Sequence, residues 1–215
     1  MLHLFRYYRT LTLPLCSCVP NANVFFDIPT FSFEIRATRS IAPGEEVTIA
    51  YCPCSDPRKQ RQSELKESYD FVCICPICSL GDLESEKLDA LRAKANAAAQ
   101  RSKTRSMNFA LDSVIRWSAD RSLPDDHLLT ESMNVVNLLD DAQLCHLEAY
   151  SYHATILCAV HLALGNLEEA KVWGKKAYRT DLARCGDSKA QAFRCLEDDL
   201  ENSAMKGIFW RRRYV

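Results

Sequence analysis

Three cysteines lie within six residues, in the run Cys73-Ile-Cys75-Pro-Ile-Cys78. Structural zinc binds four ligands in a tetrahedron, with Zn–S distances of about 2.3 Å, and cysteine thiolates are its typical ligands. One further ligand must then come from elsewhere in the chain. The four-cysteine spacing of a ferredoxin cluster is absent from the sequence. The run therefore predicts a zinc knuckle, and the alternative is three thiols, buried or at the surface, without a metal.

Spacing alone leaves the fourth ligand open among Cys16, Cys18, Cys52 and Cys54. Any of them would join two distant segments of the chain through the metal. The eleven cysteines are an odd number, and seven of them precede residue 79, which does not suit a secreted disulfide framework. We therefore predict reduced thiols and a location in the nucleus and/or the cytoplasm.

The elements that must position these cysteines begin with short strands. Residues 23–27 are β-rich, and residues 31–38 alternate apolar and polar side chains with the period of a half-buried strand. Pro43 and Gly44 form a turn pair, and residues 47–51 read as another strand. The pattern predicts a hairpin-like unit over residues 31–51.

A charged helix is predicted between this unit and the knuckle. Asp56 is placed as its N-cap, Pro57 is its first residue, and it ends near Tyr69. From 83 to 207, glycine is scarce, and alanine and leucine recur at helical spacing, which predicts five or six helices. Breaks are expected near Ser102, Pro124, Asp140, Gly165 and Gly186.

The stretch LALGNLEEAKVWGKKAY is similar to a tetratricopeptide unit, through the spacing of Leu157, Gly165, Ala170 and Ala177. Only one such copy is found, so a regular array is not predicted. The fold class that we expect is α+β. A short β-rich segment with a zinc knuckle precedes an all-α, tetratricopeptide-like helical domain.

Three stretches, taken in order, resemble a known family. They are Ser17-Cys18-Val-Pro-Asn21, TRSIAPGEEVTIAYC at 38–52 and ESYDFVCICPIC at 67–78. Together they resemble the SET and post-SET segments of SET-domain protein-lysine methyltransferases, most closely the SET-and-MYND-like branch. The likeness covers residues 17–80, and the helical part at 83–207 then corresponds to the family's helical tail.

The resemblance implies a role for individual residues. Cys18 becomes the fourth zinc ligand, beside Cys73, Cys75 and Cys78. Tyr51 takes the position of the family's tyrosine at the methyl-transfer centre. Tyr69 and Phe71 correspond to aromatic residues of the substrate lysine channel, and Phe71 also corresponds to a residue near the adenine of S-adenosylmethionine. The implied cofactors are zinc and S-adenosylmethionine, and the implied substrate is a lysine of a histone or non-histone protein.

The chain departs from the family at its beginning. The family has Asn-His before the Ser-Cys stretch, where this chain has Leu15 and Cys16. The family's G-x-G cofactor loop is absent, since Gly44 is the only glycine before Gly81. LTLPLC resembles a translated intron end, so we predict that residues 1–16 are a non-native or unstructured leader. Pro14 and the lack of a cleavage site disfavour a targeting peptide.

Two classes of function therefore remain open. One is a protein-lysine N-methyltransferase, to which this chain contributes a fragment. The other is a catalytically inactive, zinc-stapled interaction module whose helical tail binds a protein partner. A net charge of -1 does not indicate an extended nucleic-acid-binding surface. No apolar run is long enough to predict a membrane span. The helical histidines are expected to be packed or solvated, and the terminal WRRRYV to be solvated.

Overall fold

The computed structural model describes residues 15–28, 30–103, 107–190 and 199–214, with side chains described at 15–28, 30–100, 111–184 and 199–214. Within these ranges the architecture is mixed and rich in helix, with few strands, as the fold class predicted in outline. The strands are β1 (Leu15–Cys16), β2 (Ala22–Asp27), β3 (Ser32–Ala37) and β4 (Thr48–Ile49). The helices are α1 (Arg58–Tyr69), α2 (Asp82–Lys103), α3 (Met107–Ala119), α4 (His127–Asp141), α5 (Glu148–Ala163), α6 (Leu167–Ala190) and α7 (Ala204–Phe209).

The strands form two separate pairs. Strands β2 and β3 are antiparallel, with Ala22 opposite Ala37 and Asp27 opposite Ser32. Strands β1 and β4 are parallel, with Leu15 opposite Thr48. The predicted hairpin-like unit over 31–51 is therefore wrong, although its strands exist. The connection from β3 to β4 is too long for a tight hairpin turn, and β3 instead pairs with the strand just before it.

The boundary predicted for the leader needs a correction too. Residues 1–14 lie outside the described residues, but Leu15 and Cys16 form strand β1. The backbone N–H of Leu15 donates to the carbonyl of Val47 at 3.1 Å, and that of Ser17 donates to Ile49 at 2.9 Å. The ordered segment thus begins before residue 17.

Helix α1 lies where the sequence predicted it, but its cap differs. Pro57 precedes the first helical residue, and no side chain of the N-cap residue bonds to the first turn. Instead, the carboxylate of Asp89 on α2 accepts the backbone N–H of Arg58 at 2.9 and 3.1 Å. A helix N-terminus exposes unpaired N–H groups that an oxygen must satisfy. A side chain distant in sequence therefore caps α1 and ties it to α2.

The helical tail is organised around α5, which is buried along most of its length. Helices α4 and α6 pack against it, and α2, α3 and α7 also contact it. A buried cluster joins residues of α2, α4 and α5 to the cysteine-rich segment. A second cluster joins α3, α5 and α6 to the C-terminal segment. The cysteine-rich segment and the helical tail therefore share one hydrophobic cluster, and the C-terminal segment packs in the other.

The α5–α6 turn matches the expected break at Gly165. Gly165 has a φ of 75°, and Asn166 donates its backbone N–H to the carbonyl of His161 at 2.8 Å. Glycine is favoured at such a left-handed helix end. Leu157, Ala170 and Ala177 are fully buried, so the tetratricopeptide spacing coincides with packed positions. The tetratricopeptide-like character itself stays a prediction.

Two expectations about the tail are wrong. Helix α6 continues through Gly186, because one glycine inside a helix costs only about 1 kcal/mol relative to alanine. The basic C-terminus is not wholly solvated either, since Arg213 is 3% exposed. Its guanidinium donates to the carbonyls of Trp117, Asp120 and Leu123 and pairs with Asp125 at 2.7 Å.

His153 follows the packed expectation for the helical histidines. It is buried, and its Nδ1 lies 3.2 Å from the hydroxyl of Ser132. Burial lowers the pKa of His153 to about 4, so this ring is neutral at neutral pH. In the described part of the chain, no helix is long and apolar enough to cross a bilayer.

Ala177 offers a test of the packing between α5 and α6. We expect Ala177→Leu to lower the free energy of unfolding by about 1–3 kcal/mol, because the added atoms have no space in a filled core. Urea denaturation measures this change. The matched control is Val172→Leu on the same helix, where the side chain is 54% exposed and the effect should stay within about 0.5 kcal/mol. Equal effects would contradict this packing.

Candidate metal centre and aromatic site

The knuckle is a tight turn that directs three thiols to one point. The backbone N–H groups of Cys78 and Ser79 both donate to the carbonyl of Cys75, at 3.0 and 3.1 Å. The hydroxyl of Ser79 donates to the carbonyl of Ile74 at 3.0 Å. Cys73, Cys75 and Cys78 are all buried. A local hydrogen-bonded turn therefore holds the three thiols close together.

Cys18 supplies the fourth thiol. Its Sγ lies 3.6 Å from that of Cys78, and its backbone N–H donates to the Sγ of Cys75 at 3.4 Å. The four Sγ atoms of Cys18, Cys73, Cys75 and Cys78 lie within 4.8 Å of one another. Among the described residues this is the group with metal-ligand geometry, and it does not include Cys16, Cys52 or Cys54. Of the four candidates that spacing left open, Cys18 is the one whose thiol lies with the three knuckle thiols.

The dimensions of this cluster fit zinc. A tetrahedron with Zn–S bonds of about 2.3 Å has edges of about 3.8 Å, close to the 3.6 Å between Cys18 and Cys78. The thiols also perturb one another. Hydrogen bonding to Cys52, and then to the knuckle cysteines, raises the pKa of Cys18, whereas hydrogen bonds from Cys18 and the other knuckle thiols lower the pKa of Cys75. Among the four thiols, Cys75 is therefore the one whose thiolate form the neighbouring thiols favour.

Gln62 on α1 anchors one end of the knuckle. Its Nε2 donates to the carbonyl of Cys73 at 2.8 Å, and its Oε1 accepts the backbone N–H of the same residue at 2.9 Å. Just before this point, Asp70 ends α1 with a φ of 59° and donates its N–H to the carbonyl of Lys66. The left-handed backbone of Asp70 turns the chain at the end of α1. Gln62 then holds Cys73 against this helix.

Two buried arginines that the sequence reasoning missed adjoin the cluster. Arg61 on α1 is 1% exposed and approaches the Sγ of Cys78 at 3.8 Å. Arg92 on α2 is fully buried and donates to the carbonyl of Cys18 at 3.1 Å. In the sequence of a charged helix, a buried arginine cannot be told from an exposed one. A signal for Arg61 is its i,i+4 spacing from the buried Leu65.

Asn21 joins the segment after β1 to the loop before β4. It is buried, and its Nδ2 donates to the Oε1 of Glu45 at 3.0 Å and to the carbonyl of Glu46 at 2.8 Å. Its Oδ1 accepts the backbone N–H of Thr48 at 2.8 Å. Glu45 also pairs with Arg39 at 2.5 Å. Glu45 and Glu46 of the Gly-Glu-Glu stretch therefore bind Asn21 and do not merely face water.

Three aromatic rings meet beside the cysteine cluster. The ring centroids of Tyr51 and Tyr69 lie 5.1 Å apart, and Phe71 lies 6.2 Å from Tyr51 and 6.3 Å from Tyr69. Burial, followed by the charge of nearby Cys16, raises the pKa of Tyr51. Burial also raises the pKa of Tyr69. Both phenols are thus neutral hydrogen-bonding groups in a partly apolar setting.

The comparisons with known proteins point to the same part of the chain. Residues 14–52 match the SET domain family. Human protein-lysine N-trimethyltransferase SMYD5 is 43% identical over 65 residues, which is 29% of this chain and 16% of that protein. Mouse histone-lysine N-methyltransferase SMYD3 is 33% identical over 81 residues, or 38% of this chain and 18% of that protein. The first part of this chain is therefore similar to SET-domain protein-lysine methyltransferases of the SMYD-like branch.

A more distant relative extends the likeness into the helical tail. Histone-lysine N-methyltransferase set5 of Schizosaccharomyces pombe is 26% identical over 160 residues, covering 74% of this chain and 45% of that protein. The chain therefore spans less than half of the length of these three relatives. The predicted resemblance is confirmed. The roles of Tyr51, Tyr69 and Phe71 stay predictions, although the structure brings the three side chains together.

Glu45 gives this site a pH-dependent test. Hydrogen bonds from Arg39, then Ala42 and Asn21, lower the pKa of Glu45 to about 2. A carboxylate with a depressed pKa stabilises the fold above its unfolded pKa of about 4.3, and this contribution is lost as the pH falls towards 2. Glu45→Gln should therefore lower the melting temperature at pH 6, and the difference from wild type should shrink towards pH 3. Glu46→Gln is the control, and a Glu45 difference independent of pH would contradict this account.

Proposed function

We propose that this chain is part of a zinc-containing, S-adenosylmethionine-dependent protein-lysine N-methyltransferase. The observation that carries the proposal is the meeting of Cys18 with the 73–78 knuckle, since the same closure brings Tyr51 against Tyr69 and Phe71. Zinc would be held by Cys18, Cys73, Cys75 and Cys78. It would serve as a structural ion, because all four positions of the tetrahedron are filled by thiolates.

The aromatic trio suits a lysine side chain. When bound, S-adenosylmethionine supplies an electrophilic methyl group, and the protein must present a neutral amine in line with it. A channel walled by Tyr51, Tyr69 and Phe71 disfavours the ammonium and so lowers the pKa of an inserted lysine. In this proposal the Tyr51 hydroxyl accepts a hydrogen bond from the amine or a weak C–H contact from the methyl group.

The substrate would be a lysine of a histone or non-histone protein. The described cysteines are all free thiols, which agrees with a reducing compartment, and we propose the nucleus and/or the cytoplasm. The tail also packs against the strands, because α6 contacts β2 and β3. A protein partner on the helical tail belongs to the proposal as well.

One observation favours a second function. Strand β1 places Leu15 and Cys16 where the family resemblance calls for Asn and His. Neither side chain offers the hydrogen-bonding groups of those residues to a cofactor. The runner-up is therefore a catalytically inactive, zinc-stapled module that binds a protein through its helices.

Metal content tests the centre directly. We expect purified protein to hold one zinc per chain, measured by plasma mass spectrometry, and Cys18→Ser to lose most of it because three thiolates bind zinc less well than four. Cys54→Ser is the matched control, since Cys54 is equally buried but outside the cluster. Metal-free wild type, or equal loss in both variants, would refute the zinc centre.

Methyl transfer tests the activity. The protein, and the longest product of its gene, should transfer labelled methyl groups from S-adenosylmethionine to histones or lysine peptides. Tyr51→Phe should lower kcat about a hundredfold with zinc content unchanged, because it removes one positioned hydroxyl. Tyr178→Phe, in the tail, should leave kcat unchanged. Zinc-loaded protein that neither binds the cofactor nor transfers methyl groups would favour the interaction module instead.

A further inference from the structure

Arg92 is a buried cation with an unusual set of partners. It is 0% exposed, and its guanidinium donates to the carbonyls of Cys18 at 3.1 Å, Cys54 at 2.5 Å and Ala142 at 3.1 Å. No carboxylate pairs with it among the described residues. These three carbonyls belong to the segment after β1, the segment before α1 and the end of α4. One side chain on α2 therefore gathers three separate parts of the chain.

A buried guanidinium without a counter-ion is costly. Removing a charge from water costs several kcal/mol unless an opposite charge lies nearby. Carbonyl dipoles satisfy the N–H groups of Arg92 but do not neutralise it. Burial, followed by the charge of Arg61, lowers the pKa of Arg92, while Cys54, Cys18 and Cys75 oppose that effect. The hydrogen bond from Arg92 to the carbonyl of Cys18 joins the guanidinium directly to a member of the cysteine cluster.

Arg61 approaches the same cluster from α1. Its guanidinium lies 3.8 Å from the Sγ of Cys78 and 3.5 Å from the carboxylate of Asp89. Its Nε is buried without a hydrogen-bond partner. Asp89 already offsets much of the charge of Arg61, so Arg92 is the cation whose compensation is missing. Zinc with four thiolates carries a formal charge of about −2 and would supply it.

We infer that Arg92 is the counter-ion of the zinc tetrathiolate, so that metal binding and docking of the helical tail stabilise each other. The inference rests on the proposed zinc centre. Zinc fixes four thiolates whose charge makes the burial of Arg92 favourable. Arg92 in turn places a positive charge beside Cys18 and locks α2 onto the segment that carries this ligand. Arg92 is thus a positioning residue for the metal centre.

Zinc affinity, measured by competition with a coloured chelator, tests the inference. Arg92→Met keeps an unbranched side chain but removes the charge, and we expect it to weaken zinc binding at least about tenfold, the effect of losing one charge-assisted interaction. Arg92→Lys keeps the charge and loses the planar fork of donors, so its zinc affinity should fall between those of the wild type and the Arg92→Met variant.

Arg213 provides the matched control. It is also a buried arginine that donates to three backbone carbonyls, but it packs on Trp117 in the second core cluster. Arg213→Met should lower the melting temperature yet leave zinc affinity within about twofold of wild type, since no metal ligand lies beside it. The contrast separates loss of a buried arginine in general from loss of the one beside the metal.

A second measurement compares how Arg92→Met changes the stability of the metal-free and the zinc-loaded protein. Without zinc, Arg92 would be an uncompensated buried cation, so Arg92→Met should destabilise metal-free protein less than zinc-loaded protein, or even stabilise it. Thermal unfolding with and without a chelator measures both shifts. Unchanged zinc affinity in Arg92→Met, or equal loss in Arg213→Met, would overturn the inference while leaving the zinc centre intact. Wild type that binds no zinc would overturn both, and methyl transfer is measured independently.

Discussion

The meeting of Cys18 with Cys75 and Cys78 is the contact on which the rest of this structure depends. It joins positions 57 and 60 residues apart, and it closes a loop that contains all of β2, β3, β4 and α1. Closing a loop has an entropic cost that rises with its length, and contacts between the two ends of the loop offset this cost. Backbone pairing of β1 with β4 and the hydrogen bonds of Asn21 contribute to that closure from the other side. A metal at the cysteines would add a bond where the chain ends of the loop meet.

The closure also explains why the aromatic residues meet. Tyr51 follows β4, and Tyr69 and Phe71 lie at the end of α1, so their distance is set by the two elements that the cysteines hold together. Two features orient Tyr69 and Phe71. They are the left-handed backbone at Asp70 and the hydrogen bond between Gln62 and Cys73. The cysteine cluster and the aromatic trio are thus consequences of one arrangement. A structural ion at the cysteines would therefore stabilise the aromatic trio without touching it.

The sequence predicted the parts that local spacing or family pattern encodes. The knuckle, helix α1, most helix breaks and the grouping of Tyr51 with Tyr69 and Phe71 belong here. It did not predict which strands pair, because alternation in residues 31–38 fits either neighbour. It also missed Arg61, Arg92 and Arg213, since burial of an arginine depends on carbonyls supplied by distant segments. A local sequence pattern does not show which distant segments will contact one another.

The backbone and the side chains of strand β1 have different roles. Leu15 and Cys16 pair with Thr48 and Ile49 through the backbone, so the pairing is indifferent to which side chains stand there. Asn and His at these positions could be replaced without loss of the strand, the knuckle or the aromatic trio. Cys16 nonetheless lies close enough to Tyr51 to influence its pKa. The side chain of Cys16 therefore influences the aromatic trio, whereas the backbone of β1 holds the scaffold, and this scaffold is compatible with either proposed function.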